Sequence, residues 1–186
     1  MLTVGLVSAG ALAAIAVTFL LVSRGAVTVD LGIGRTVRPL GPIEMRIAAP
    51  REVVFDVVSA PYLDRTPRAL QSKLRVLERG GDMVLAAHFT QLRGLVATTL
   101  ETVRFEAPSR VDFRLVRGPV PYVVEQFLLH EDGDATSFEY RGELGTDLWA
   151  AGRLWGNVVA RKWERAVRTT LEHVKTEAER RPHRSR

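Results

Sequence analysis

The side chains that could do chemistry are few and scattered. There is no cysteine, so the chain has no thiolate nucleophile, disulfide or thiolate metal site. Its four histidines stand at 88, 130, 173 and 183. None pairs with another at helical spacing, no HExxH is present, and no acidic cluster has ligand spacing, so no metal is expected. His183 falls in a basic tail, His130 borders the acidic turn "EDGD", and His173 lies near the end of a helical pattern. His88 alone sits well inside a strand-like run, sharing a face with Val84, Ala86 and Thr90, where a surface or partly buried neutral role is expected. Glu125 and Glu139 alternate with apolar residues and are read as pointing to solvent, with Arg114 or Arg141 as weak cross-strand partners. Tyr140 with Gln126 could orient a ligand carbonyl or hydroxyl by hydrogen bonds. General acid–base catalysis needs an ionisable group of shifted pKa in a cleft, and none stands out. Tyr140 and His88 are the first to test.

The elements that must position these groups are legible from periodicity. Leu2 to Val22 holds no charge and, at about 1.5 Å per residue, makes a helix roughly 31 Å long, enough for a hydrocarbon core of about 30 Å. No positive residue precedes it and "SRGA" is a poor cleavage site, so it reads as an anchor rather than a signal peptide. Arg24, Arg35 and Arg38 follow it, which places the C-terminal side in the cytoplasm. Residues 1–23 are therefore assigned to a transmembrane helix and 24–41 to a linker. The linker's Gly32-x-Gly34 lacks the third glycine and the following helix of a dinucleotide fingerprint.

A domain over 42–178 follows, ending in a basic tail, 179–186. "IEMRIAAP" alternates as a half-buried strand. Pro50 opens a helix through "REVVFDVVSA" that stops before Pro61, and Thr66-Pro67 starts a second short helix through "PRAL". Six strand-like runs come next, with a Gly80-Gly81 turn and an Asp-Gly turn among them. Their short spacing predicts an antiparallel meander. The last segment starts at Thr146/Asp147 and predicts one long helix to Pro182, with an apolar stripe of Leu148, Gly152, Trp155, Val159, Trp163, Ala166, Val167, Thr170 and Val174.

A hydrophobic content of 46% and charged content of 25% are those of a globular protein. The net charge of +5 gathers near the two ends, where anionic headgroups would attract it. Within the domain, base alternates with acid, so no nucleic-acid stripe forms.

In order, strand, two short helices, six antiparallel strands and a long amphipathic helix resemble the helix-grip fold of the START, Bet v 1 and polyketide cyclase/dehydrase superfamily. "IAAPREVVFDVVSAP" is similar to its first strand and helix, and "FEAPSRVDFRL" to its central hairpin. The resemblance covers about residues 42–178. It implies an α+β domain whose antiparallel sheet wraps the long C-terminal helix and leaves an apolar cavity between them. Members bind lipids, sterols, quinones, plant metabolites or polyketides, and no catalytic motif is common to all.

Candidate cavity walls are Phe89, Phe113, Phe127, Phe138, Tyr140, Trp155, Val159 and Trp163. Tyr122 is a further one, although it cannot share a face with Phe127 in a regular strand. The expectation is a membrane-anchored, cytoplasm-facing domain that binds a hydrophobic lipid-, quinone- or polyketide-like molecule without a cofactor. The alternatives are a cyclase or dehydratase working in the same cavity, or a non-catalytic membrane scaffold.

Overall fold

Alternating apolar and polar residues along seven segments build one antiparallel sheet, because successive side chains of a strand point to opposite faces. The computed structural model describes residues 2–63, 71–92 and 94–181, with side chains for all of these except 2–11 and 92. The elements are α1 (Leu2–Ser23), β1 (Thr36–Ile47), α2 (Arg51–Leu63), β2 (Leu74–Gly80), β3 (Met83–Leu92), β4 (Leu95–Glu106), β5 (Arg110–Arg117), β6 (Tyr122–Asp132), β7 (Ala135–Thr146) and α3 (Trp149–Arg180). The sheet order is β1-β7-β6-β5-β4-β3-β2, with every neighbouring pair antiparallel. α3 lies against β1 and β7 with α2 beside it. This is the helix-grip arrangement, a sheet wrapped around one long helix.

One face of the sheet is apolar and covered by the helices. Val103, Val111, Phe113, Val123, Phe127, Leu129, Phe138 and Leu144 are buried there. Phe127 touches Phe113, Phe138 and Tyr140 at ring-centroid distances of 4.8, 5.1 and 5.9 Å. Tilted and edge-on ring contacts of this kind each add about 1 kcal/mol beyond the area they bury.

α3 buries Gly152, Gly156, Val159, Ala160, Val167, Leu171, Val174 and Ala178, at three- and four-residue steps. Its start sits very close to the end of β7, where a Cβ on Gly156 would lie 3.1 Å from the Thr146 side chain. The stripe differs from the expected one: Leu148, Ala166 and Thr170 are exposed, while Ala160, Leu171 and Ala178 are buried. Over a helix this long the 3.6-residue period drifts away from fixed three- and four-residue steps, so the newly buried positions lie on the flank of the expected stripe.

Several boundaries move. β1 begins at Thr36, so the linker is shorter than 24–41. α2 runs through Pro61 to Leu63, the proline lacking only its own N–H donor in the last turn. The expected helix at "PRAL" lies outside the described residues. α3 starts at Trp149 rather than at Thr146/Asp147, because Asp147 is engaged elsewhere. Its Oδ2 accepts the backbone N–H groups of Leu31 (2.6 Å) and Gly32 (2.9 Å), and its Oδ1 the Arg35 Nε–H (2.7 Å). Arg35 also pairs with Asp30. The buried Asp147 thus ties the linker to the mouth of α3.

α1 is a 22-residue helix. Among the residues described down to the side chain, which in α1 are 12–23, no helix is long and apolar enough to cross a membrane.

Candidate functional site

The strand register carries polar side chains into the apolar face. Ala86 pairs with Glu101 and Glu101 with Leu115, while Phe113 pairs with Glu125 and Glu125 with Gly142. Both glutamates therefore stand in inward rows, with Val103 and Phe127 as their same-face neighbours two residues along. Glu101 and Glu125 are each only 6% exposed. The expectation that Glu125 points to solvent is overturned: it shares parity with Val123, Phe127 and Leu129. Gly142 makes room for it, since a Cβ there would sit 3.1 Å from Glu125 Cγ.

Glu125 Oε1 accepts two hydrogen bonds at 2.6 Å, one from the Tyr140 hydroxyl and one from the Trp163 indole N–H. Three elements distant in sequence, β6, β7 and α3, meet at this oxygen. Desolvation raises the Glu125 carboxyl to about 8, reinforced by the negative charge of Glu101 and opposed by the two donors. Near neutral pH it is largely a carboxylic acid, able to donate as well as accept. Burial also pushes the Tyr140 hydroxyl far above the usual phenol range, with Glu125 adding to it, so Tyr140 remains a donor.

A second polar cluster lies along the same face toward α2. Glu101 Oε1 accepts the Thr99 hydroxyl at 2.6 Å, and Oε2 lies 3.3 Å from His88 Nδ1. His88 Nε2 is 2.9 Å from the Tyr62 hydroxyl. Nδ1 makes no hydrogen bond, so its approach to Glu101 is a charge contact available to a protonated ring, and the direction of the Tyr62–His88 bond follows the tautomer. The Tyr62 ring sits edge-on to Phe113 at 6.2 Å, and burial raises its hydroxyl well above the phenol range. His88 thus faces inward and is partnered, not surface-facing.

Of the candidate wall residues, Phe113, Phe127, Phe138, Tyr140 and Val159 are buried between sheet and helix, and Trp163 reaches Glu125 from α3. Trp155 is half-buried at the other end, its indole N–H on the Pro119 carbonyl at 2.8 Å. Phe89 is not with them: it pairs with Thr98 in an outward row, one residue off the parity of His88. Tyr122 also faces outward, beside Glu143. Gln126 bonds Asp112 on the outer face at 2.9 Å and is remote from the Tyr140 hydroxyl's side of the sheet. Glu101, Glu125 and Tyr62 were missed as site residues. The available signal was a charged residue two positions from large apolar ones, Glu101 beside Val103 and Glu125 beside Phe127.

Two pockets stand out among the described residues. One, of about 650 Å³, is an open groove on the outward rows, lined by Thr102, Arg104, Asp112, Arg114, Gln126 and Arg141 among others. The other, of about 560 Å³, lies between α1 and Trp155. On the inward face Phe127 meets Phe113, Phe138 and Tyr140 ring to ring. No group of three or more His, Asp or Glu able to hold a metal occurs among the described residues.

The sequence profile of the family described as "Polyketide cyclase / dehydrase and lipid transport" matches residues 43–179. Among solved structures, the chain is similar to the Zhui aromatase/cyclase from Streptomyces sp. R1128, at 16% identity and a TM-score of 0.65, over 78% of this chain and 96% of that one. It is similar to TTHA0849 from Thermus thermophilus, at 17% identity and TM-score 0.60, over 77% and 97%. A truncated norcoclaurine synthase from Thalictrum flavum aligns at 15% identity and TM-score 0.57, over 81% and 95%. At these identities the likeness is one of fold. A search of curated proteins found no sequence match.

Proposed function

The chain belongs to the polyketide cyclase/dehydrase and lipid transport family, and on that premise we propose that it binds a hydrophobic, carbonyl-bearing small molecule on the inward face of its sheet while α1 holds the domain at a membrane. The observation that carries this reading is Glu125. A neutral carboxylic acid set among Phe113, Phe127 and Tyr140 offers one directional hydrogen bond inside an apolar surround, which is how such sites orient a mostly apolar ligand. Burial of the ligand supplies affinity at about 0.8 kcal/mol per methylene. The uncharged run from Leu2 to Val22 and the arginines after it support a tether with the domain on the cytoplasmic side.

A second reading, acid–base conversion of that ligand, is favoured by the two glutamates of one face being held differently. Glu125, kept protonated, can give its proton to a departing hydroxyl or a carbonyl oxygen. His88, backed by Glu101, can take a proton from the carbon next to a carbonyl, so that water leaves and a double bond forms. Ligands in the lipid, quinone or polyketide classes fit either reading.

The test is native mass spectrometry of the full chain in detergent, with extraction and identification of what co-purifies. Saturable binding of one of these classes, weakened by Glu125→Ala in a folded variant, is the expected result. Absence of saturable binding across a broad panel overturns the reading. Conversion of the bound molecule, lost in Glu125→Gln and in His88→Gln, establishes the second one. A reporter fused after residue 186, active only in the cytoplasm, tests the tether.

A further inference from the structure

Where the linker meets α3, the backbone takes an unfavourable form that docks the linker, and apolar side chains are left exposed around it. Leu148 and Trp149 are both left-handed, at φ 70° and 47°, a conformation that large L-residues rarely adopt. The Leu148 N–H donates to the Ile33 carbonyl at 2.8 Å and the Trp149 N–H to the Gly34 carbonyl at 3.0 Å. Gly34, itself at φ 61°, lies under the indole, where no Cβ could fit. Yet Trp149 ends 61% exposed, and Leu154, on the following turn, 71% exposed. Leu31 and Ile33 are exposed on the linker that bonds Leu148, and Val158 is exposed one turn on from Leu154, so apolar groups stand around the start of α3 rather than on one face of it. The strained turn docks the linker, but large apolar groups left in water contribute nothing to folding, and their gathering around the start of α3 implies a partner.

Two further observations identify that partner. The patch is continuous with α1: the Phe19 ring meets Trp155 edge-on at 5.8 Å, and the 560 Å³ space between Trp155 and residues 14–22 has almost wholly apolar walls. On α3 itself the charges are of one sign, and the linker's exposed Asp30 is neutralised by Arg35. From 149 to 163, α3 carries Arg153, Arg161 and Lys162 and no acidic residue, and none of the three forms an ion pair among the described residues. Exposed Trp and Leu flanked by unpaired cations match the interfacial layer of an anionic bilayer, where indole and aliphatic groups sit at the headgroup level and Arg and Lys meet phosphate. A second copy of the chain would bring the same cations face to face.

Resting on the reading of α1 as an anchor, we infer that Leu31, Ile33, Trp149, Leu154 and Val158 form an apolar collar that seats the domain in the cytoplasmic headgroup layer. Lipid acyl chains fill the gap between α1 and α3. The collar holds the N-terminal end of α3 against the bilayer, which keeps the domain beside the phase in which an apolar ligand dissolves.

The chain has no cysteine, so single labels are clean. Full-length Leu154→Cys, Val158→Cys and, at the far end of α3, Glu172→Cys are spin-labelled and reconstituted into vesicles of phosphatidylcholine and phosphatidylglycerol at three to one. The expected result is a several-fold lower collision rate with a water-soluble nickel chelate at 154 and 158 than at 172, with the reverse order for oxygen. Equal nickel access at all three sites, in a chain that floats with the vesicles and resists carbonate, overturns the collar and leaves the anchor standing. A chain that does not float overturns both. Spin–spin broadening at 154 assigns the face to a second copy and also overturns the collar.

Discussion

The Trp163 indole N–H points at Glu125 Oε1 from 2.6 Å, so a residue of the long helix and a residue of the central sheet share one buried hydrogen bond. Glu125 is desolvated by that packing and repelled by Glu101, and its carboxyl rises from an ordinary 4.5 to about 8. Between these values the folded chain holds a proton that the unfolded chain has released. Stability therefore falls as pH rises from about 4.5 to about 8, with a slope approaching 1.4 kcal/mol per pH unit, and levels off above. Glu125→Gln is neutral at every pH and removes this slope. Melting curves at about pH 5.5 and pH 8 should converge for the variant and separate by several degrees for the native chain; equal separations would mean that Glu125 is ionised throughout.

Tyr140→Phe keeps the ring against Phe127 and removes one of the two donors that hold the Glu125 carboxylate down. Its cost is about 1–2 kcal/mol, that of a lost buried hydrogen bond to an acidic group. The Glu125 carboxyl should then titrate higher still. The protonated-carboxyl stretching band in infrared difference spectra, followed through a pH series, reports this directly; a lower titration point contradicts the geometry.

Tyr62 combines two roles that substitutions separate. Tyr62→Phe preserves the contacts with Phe105 and Phe113 and loses only the bond to His88, costing about 1 kcal/mol. Tyr62→Ala opens a cavity and should cost about 3–5 kcal/mol. Urea denaturation of both measures the difference. Near-equal losses would show that the hydroxyl, not the ring, holds α2 to the sheet.

The linker is held by charge, and its release is local. Asp147 is drawn down to about 2 by the Arg35 guanidinium, working against its burial, with help from the Leu31 and Gly32 N–H groups. The depressed carboxyl stabilises the fold above its ordinary 3.8, and that contribution is lost as pH falls through about 2. Asp147→Asn leaves Arg35 without this partner and should destabilise by about 3 kcal/mol. Hydrogen exchange at the Leu31, Gly32 and Leu148 amides should accelerate in the variant while the β6 and β7 amides stay protected. Uniform acceleration would show that Asp147 supports the whole sheet.

The order of elements, the faces of Val111, Phe113 and Leu115, and the rings of Phe127, Phe138 and Tyr140 could all be read from local spacing. A strand's period of two and a helix's of 3.6 are properties of the backbone and need no partner to be known. Phe89 went astray by a single residue, because "AAHF" is apolar on both faces and parity there had to be taken from His88. Glu125 and Glu101 obeyed the same parity, but a charged residue is ordinarily assumed to seek water. What buried them is the convergence of β4, β6, β7, α2 and α3. The low dielectric that raises Glu125, and the Tyr140 and Trp163 donors that satisfy it, come from residues 15 and 38 positions away along the chain. The sequence by itself determined which segments are strands and helices and which of their faces are apolar. Only the tertiary structure decided which carboxylates were enclosed and by whom, because desolvation and hydrogen-bond partnership belong to the packed assembly and not to any one segment.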